Sequence, residues 1–203
     1  MGDIGALFLR AMFAENMPLT YFLGLCTFLA LSRRTETALG LGIAITVVMG
    51  VTVPLNQAIY NGVLAPGAWR WAGMPDVDLS YLSLLTFIGT VAASVQLLEM
   101  VMERFLPRLH ASFGAFLPLL AIQCAILGGS LFMVERRYDF VEATVYGVGS
   151  GAGFALAVVM LGAIRTRLAY ADLPSGLRGL GISFVLAGMM SLGFSSFAQM
   201  AAQ

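Results

Sequence analysis

The feature that most constrains this chain is a series of long stretches without a charged side chain. Residues 37–69, 79–98, 111–134, 143–164 and 179–203 contain no Asp, Glu, Lys or Arg. A charge at the bilayer centre costs at least ~2.5 kcal/mol, and about 20 apolar residues cross the hydrocarbon. Each stretch therefore predicts a membrane-spanning helix. A sixth span is predicted at residues 16–32, preceded by a semi-apolar piece, 4–14, that contains Arg10. Between the two lies Glu15-Asn16-Met17-Pro18. An acid, a capping residue and a proline in a row stop one helical piece and start another, so the first span reads as a broken helix. Pro118 predicts a second break, in span 4. The expected fold is an all-α integral membrane protein of six transmembrane helices.

Composition agrees with this. Of the 203 residues, 59% are hydrophobic and 11% charged, where soluble domains carry about 25% charged residues. The connections are short, about 15 residues at most between 64 and 79, which leaves no room for an extramembrane domain. Function must lie in the bilayer or at its faces. Net charge is zero, from eleven arginines, no lysine and eleven acids, so no basic surface is available for a nucleic acid. The start, MGDIGALFLR, has no basic n-region and no small-residue cleavage site, so a cleaved leader is not expected. Arg33, Arg34, Arg104, Arg108, Arg165, Arg167 and Arg178 fall on one side of the predicted spans, and Arg10, Arg70, Arg136 and Arg137 on the other. By the positive-inside rule the first group is cytoplasmic and both termini lie outside.

The two halves, about 1–106 and 107–203, echo each other weakly. Met17-Pro18-Leu19, an apolar run with Cys26, Arg33-Arg34 and the glycine-spaced LGLGIA are followed, in the same order, by Leu117-Pro118-Leu119, Cys124, Arg136-Arg137 and YGVGSGAG. The spacings differ, so chance is a competing explanation. With three spans per half the second copy would be inverted, a plan that brings broken helices together near the midplane.

Cys26 and Cys124 are the only cysteines. Pro18 precedes the first by about 12 Å of helix and Pro118 precedes the second by about 9 Å, so similar depths are expected. Three readings stand open: small buried hydrophobes, a disulfide, which no spacing can establish, or metal ligands. Two thiolates make half of a four-ligand iron–sulfur or zinc site, so a metal reading requires a second chain. Glu15, Glu99, Glu103 and Glu142 lie near span ends and are functional candidates, the first three for an ion path. Ordinary boundary or capping roles compete, and Glu103 sits beside Arg104. Gly147, Gly149, Gly151 and Gly153 form two interleaved GxxxG pairs, which indicate close helix packing. The formal G-x-G-x-x-A match within them follows no strand, so dinucleotide binding is not expected. His110 is the single histidine and reads as a polar anchor. No Ser/His/Asp or HExxH arrangement occurs, which argues against a self-contained enzyme.

The segments ENMPLTYFLGLCTFLALSRRTETALGLGIA (15–44), VPLNQAIYN (53–61), LLTFIGTVAASVQLLEM (84–100), FLPLLAIQCAILGG (116–129) and DLPSGLRGLGISF (172–184) resemble the E-type subunits of Na⁺-translocating NADH:quinone reductases. The resemblance covers nearly the whole chain. The sister family, the A-type subunits of the Rnf electron-transport complex, shares LGLC, the cysteine after FLPL and the Arg-Gly pair at 178–179. Glu15-Asn16-Met17, VPLN and Gly179-Leu180-Gly181 look like the reductase branch. The resemblance implies a translocase subunit of the bacterial inner membrane that pairs with a homologous six-span D-type subunit of opposite topology. It also implies that Cys26 and Cys124 supply half the ligands of an intramembrane [2Fe–2S] cluster. Electrons would pass from the cytoplasmic to the outer side on their way to ubiquinone, with FAD, FMN and riboflavin on other subunits and Na⁺ moving outward. A secondary transporter without iron, or a structural subunit with inert cysteines, are the alternatives.

Overall fold

The computed structural model describes residues 2–32, 35–65, 80–105, 123–168, 170 and 179–201. Among them all regular structure is helical. We number the α-helices α1 (Gly2–Leu9), α2 (Met17–Thr20), α3 (Leu25–Leu31), α4 (Thr35–Ile59), α5 (Ser83–Phe105), α6 (Cys124–Glu135), α7 (Phe140–Leu168) and α8 (Leu180–Ala201). Residues 38–64, 83–101 and 140–168 are long and apolar enough to cross a membrane, and Ile4–Ala14, Cys124–Glu135 and Leu180–Ser196 are shorter apolar helices. Helix thus occupies part of every predicted span, and the chain is an all-α membrane protein. Pro118 and His110 lie outside the described residues, as do Arg33, Arg34, Arg70, Arg108 and Arg178.

The first span is broken twice. After α1 the chain widens into a π-helical turn, Arg10–Ala14, closed by the Glu15 N–H donating to the Arg10 carbonyl at 2.9 Å. Asn16 then turns extended (φ −64°, ψ 115°) and α2 begins with Pro18 in its first turn, where a missing N–H costs nothing. This is the break expected from Glu15–Pro18. The Asn16 side chain does not cap α2; its Nδ2 donates instead to the carbonyls of Met12 (3.2 Å) and Gly153 (2.8 Å). A second break follows at once. Phe22 (φ 56°) and Gly24 (φ 82°) both adopt the left-handed conformation before α3 starts at Leu25. No sequence signal beyond Gly24 announced it.

Two compact units result, Met1–Val47 with Val148–Gln203, and Val48–Gly147. Each combines residues from both sequence halves, so compactness and the weak repeat partition the chain differently. In the first unit α8 packs on the π-helical turn, α2 and α3, pinned by Ser191 Oγ donating to the Leu19 carbonyl at 2.6 Å. Its fully buried side chains include Met17, Leu19, Phe28, Leu41, Ile45 and Phe154. In the second unit α5 packs on α6 around Met49, Phe87, Ile126 and Tyr146.

The glycine stripe of α7 packs closely, as its spacing predicted, and its two GxxxG pairs serve two partners. A Cβ on Gly149 would lie 3.1 Å from the Phe8 carbonyl oxygen and the Ala11 Cβ, and one on Gly153 would lie 2.5 Å from the Met12 carbonyl oxygen. The other pair faces α4. A Cβ on Gly151 would lie 2.6 Å from Thr46 Cα, and one on Gly147 would lie 2.7 Å from the Met49 carbonyl oxygen. Residues two apart on a helix point to nearly opposite sides, which lets one run of alternate glycines admit a helix on each flank.

Candidate functional site

Each cysteine sits in the first turn of a helix that begins at a backbone break. In the first unit Gly24, buried and left-handed, is the N-cap of α3, and Cys26 is the second helical residue. The turn is held by Phe28 N–H and Thr27 Oγ1, both donating to the Gly24 carbonyl at 3.0 Å. Thr27, Phe28 and Leu29 are buried, while Cys26 is exposed. The helix is thus fixed to its unit by its other face and presents the thiol outward. At the far end of α3 the Arg165 guanidinium donates to the Leu29 carbonyl at 2.9 Å and to Ser32 Oγ at 2.8 Å. A cation there satisfies the last carbonyls of a helix. The sequence showed Arg165 only as a topology marker.

In the second unit Gln123 is extended (φ −79°, ψ 117°) and is the N-cap of α6, whose first residue is Cys124. Cys124 is exposed, whereas Ala125 and Ile126 behind it are fully buried. The Gln123 side chain is 4% exposed, and neither its Nε2 nor its Oε1 has a hydrogen-bond partner among the described residues. A buried amide left unmatched costs ~1–3 kcal/mol, so a site that uses its N–H would recover that cost.

The residues present fit a dianionic iron–sulfur cluster in three respects. The two thiols are presented outward. The first turn of any helix leaves its leading N–H groups without intrahelical acceptors, so donors accompany both cysteines. Gln123, the residue before Cys124, carries an orphaned buried amide. The sequence has two cysteines, so the other two thiolates of a four-thiolate site would come from another chain.

The carboxylates fare differently. Glu15 is 6% exposed and its Oε1 accepts from Arg10 Nε at 2.8 Å, an ion pair that closes the π-helical turn. Glu99 is half-buried on α5, and Glu103 is exposed one turn later beside Arg104. The structure therefore does not gather Glu15, Glu99 and Glu103 within one unit: Glu15 belongs to the first and the other two to the second.

Residues 4–201 match the family model described as Rnf-Nqr subunit, membrane protein. The chain belongs to the Rnf-Nqr family. Relatives named as the E subunit of Na(+)-translocating NADH-quinone reductase include one from Hahella chejuensis, 60% identical over 192 residues and covering 95% of both chains. One from Psychrobacter cryohalolentis is 56% identical over 200 residues, covering 98% of this chain and 99% of its own. A third, from Nitrosomonas europaea, is 54% identical over 197 residues, covering 97% and 98%. In this Rnf-Nqr chain the outward thiols are those of Cys26 and Cys124, one in each compact unit.

Proposed function

We propose that this chain is a membrane subunit of a Na⁺-translocating NADH–quinone reductase and that Cys26 and Cys124 provide two of the four thiolates of a [2Fe–2S] cluster shared with a homologous partner subunit. The observation that carries the site is the matched setting of the two cysteines: each is exposed, and each occupies the first turn after a break. Full-length similarity to proteins bearing that name favours the reductase branch over the Rnf branch.

A cluster held there supplies a one-electron relay inside the membrane. This chain's part is to hold two thiolates, to shield them from water, and to offset their charge. Gly24 permits the left-handed turn that brings the first N–H groups of α3 up to Cys26. Gln123, the residue before Cys124, carries a buried Nε2 donor without a partner among the described residues. Buried Thr27, Phe28, Ala125 and Ile126 hold the two helix starts so that the thiolates need little reorganisation on binding. The flavins belong to other subunits, the electrons run from the cytoplasmic to the outer side, and Na⁺ leaves the cell.

The test is to replace Cys26 and Cys124 by Ala separately in the assembled complex. NADH oxidation with a soluble acceptor should persist, because it needs only the flavin-bearing partner that oxidises NADH. Quinone reduction should fall to background in both variants. Wild-type quinone reduction in either variant would remove that cysteine from the electron path and would favour the reading as a transporter or an inert structural component.

A further inference from the structure

The helix that carries Cys26 is short, and its length decides which charges stand near the thiol. The seven residues of α3, Leu25–Leu31, gain little from their own hydrogen bonds, so the helix depends on what holds it. One side packs on α8. Its last turn is tied to α7, where the Arg165 guanidinium donates to the Leu29 carbonyl at 2.9 Å and to Ser32 Oγ at 2.8 Å. Ser32 is fully buried and Leu29 is 7% exposed, and Ser32 Oγ donates to the same Leu29 carbonyl at 3.3 Å. Arg165 itself is half-buried, so water screens its charge only in part.

Satisfying a carbonyl requires only a donor, whereas a charge also acts at a distance. Leu29 lies three residues beyond Cys26, about 4.5 Å of helix rise, which puts the guanidinium on the order of 10 Å from the cysteine. Cys124 has no such neighbour at the end of its own helix. There α6 runs twelve residues, Cys124–Glu135, so Arg136 stands about 18 Å further along the axis. The Arg136 guanidinium is also engaged elsewhere, 5.8 Å above the Phe132 ring and 5.9 Å above the Tyr146 ring. In its oxidised form a four-thiolate [2Fe–2S] cluster is a dianion, and one electron, delivered from NADH through the flavin-bearing subunit, makes it a trianion with no bond formed or broken. A fixed positive charge stabilises the trianion more than the dianion and so favours uptake of the electron.

We propose that Arg165 is a positioning residue for Cys26 whose positive charge, set behind the thiolate through α3, raises the reduction potential of the bound cluster. The proposal rests on the reading that Cys26 is a cluster ligand. Removing Arg165 takes one positive charge from the field at the thiolate, whatever else the guanidinium touches.

The test is a redox titration of the assembled complex followed by electron paramagnetic resonance, read on the signal that disappears in Cys26→Ala, with iron per complex measured alongside. The variants are Arg165→Gln, Arg165→Lys and Arg167→Gln. Glutamine keeps an N–H donor and removes the charge, while lysine keeps the charge and loses the planar fork. Arg167 is exposed and two residues on, nearly opposite on the helix, so its variant removes an equal charge on the water side. Arg165→Gln should lower the equilibrium constant for reduction about tenfold, the effect of one unit charge at this range in an effective dielectric of about 20; for one electron that is a shift of about 59 mV to more negative potential. Arg165→Lys and Arg167→Gln should titrate as wild type. An unshifted Arg165→Gln, or an equal shift in Arg165→Lys or Arg167→Gln, would overturn the proposal and leave Arg165 as a helix anchor. If Arg165→Gln loses its cluster or fails to assemble, Arg165→Lys decides: iron and potential retained there support the charge, and their loss overturns it. A wild-type complex without a signal that depends on Cys26 would overturn the reading of the cysteine itself, whereas a Cys26-dependent signal that Arg165→Gln leaves unmoved would overturn only the role of Arg165.

Discussion

The cysteines were legible in the sequence as a pair, but their setting was not. Two thiols after two prolines suggested similar depths; the structure adds that both stand at helix starts with one side anchored and the thiol exposed. The second break in the first span depends on Phe22 and Gly24 at positive φ. A phenylalanine in that conformation has no local sequence signature, because its neighbours rather than its own preference hold it there. Gly24 is different, since at φ 82° any Cβ is disfavoured by about 1–2 kcal/mol. Gly24→Ala should therefore destabilise the start of α3. We expect complex that still assembles but holds its iron more loosely, read as faster iron loss to a chelator than from wild type. Equal retention would show that the left-handed turn is not needed to place Cys26.

At the scale of elements, the glycine stripe of α7 was correctly read as a packing surface because four glycines at alternate positions leave little else to explain. Its use by two different flanks follows only from knowing what lies on each side. Gly151→Ala puts a methyl 2.6 Å from Thr46 Cα, a backbone atom that cannot rotate away. Overpacking of this kind costs about 1–3 kcal/mol, so a lower thermal transition and reduced yield in detergent are expected. Gly89→Ala on α5, where nothing lies within 4 Å of the added methyl, should change neither. Polar cross-links such as Asn56 to Ser130 and Arg165 to Leu29 were invisible beforehand. Each joins residues more than 70 positions apart, and periodicity carries no information about partners at that range.

For the molecule as a whole, the charge-free stretches predicted where helix would be found, since the cost of burying charge in lipid acts on every residue of a span independently of its neighbours. What they could not convey is how the spans divide into compact units, because α4 and α7 each contribute to both. Orientation rests on the arginine bias alone. A C-terminal reporter active only in the cytoplasm should stay silent, and activity there would reverse the assignment. The central claim concerns a site that this chain can only half complete. Its most direct measurement is iron and acid-labile sulfide in the assembled complex, compared among wild type, Cys26→Ala and Cys124→Ala, with assembly checked by native gel. The account predicts that both variants lose the same two iron atoms per complex. Wild-type iron and sulfide in either assembled variant would contradict it.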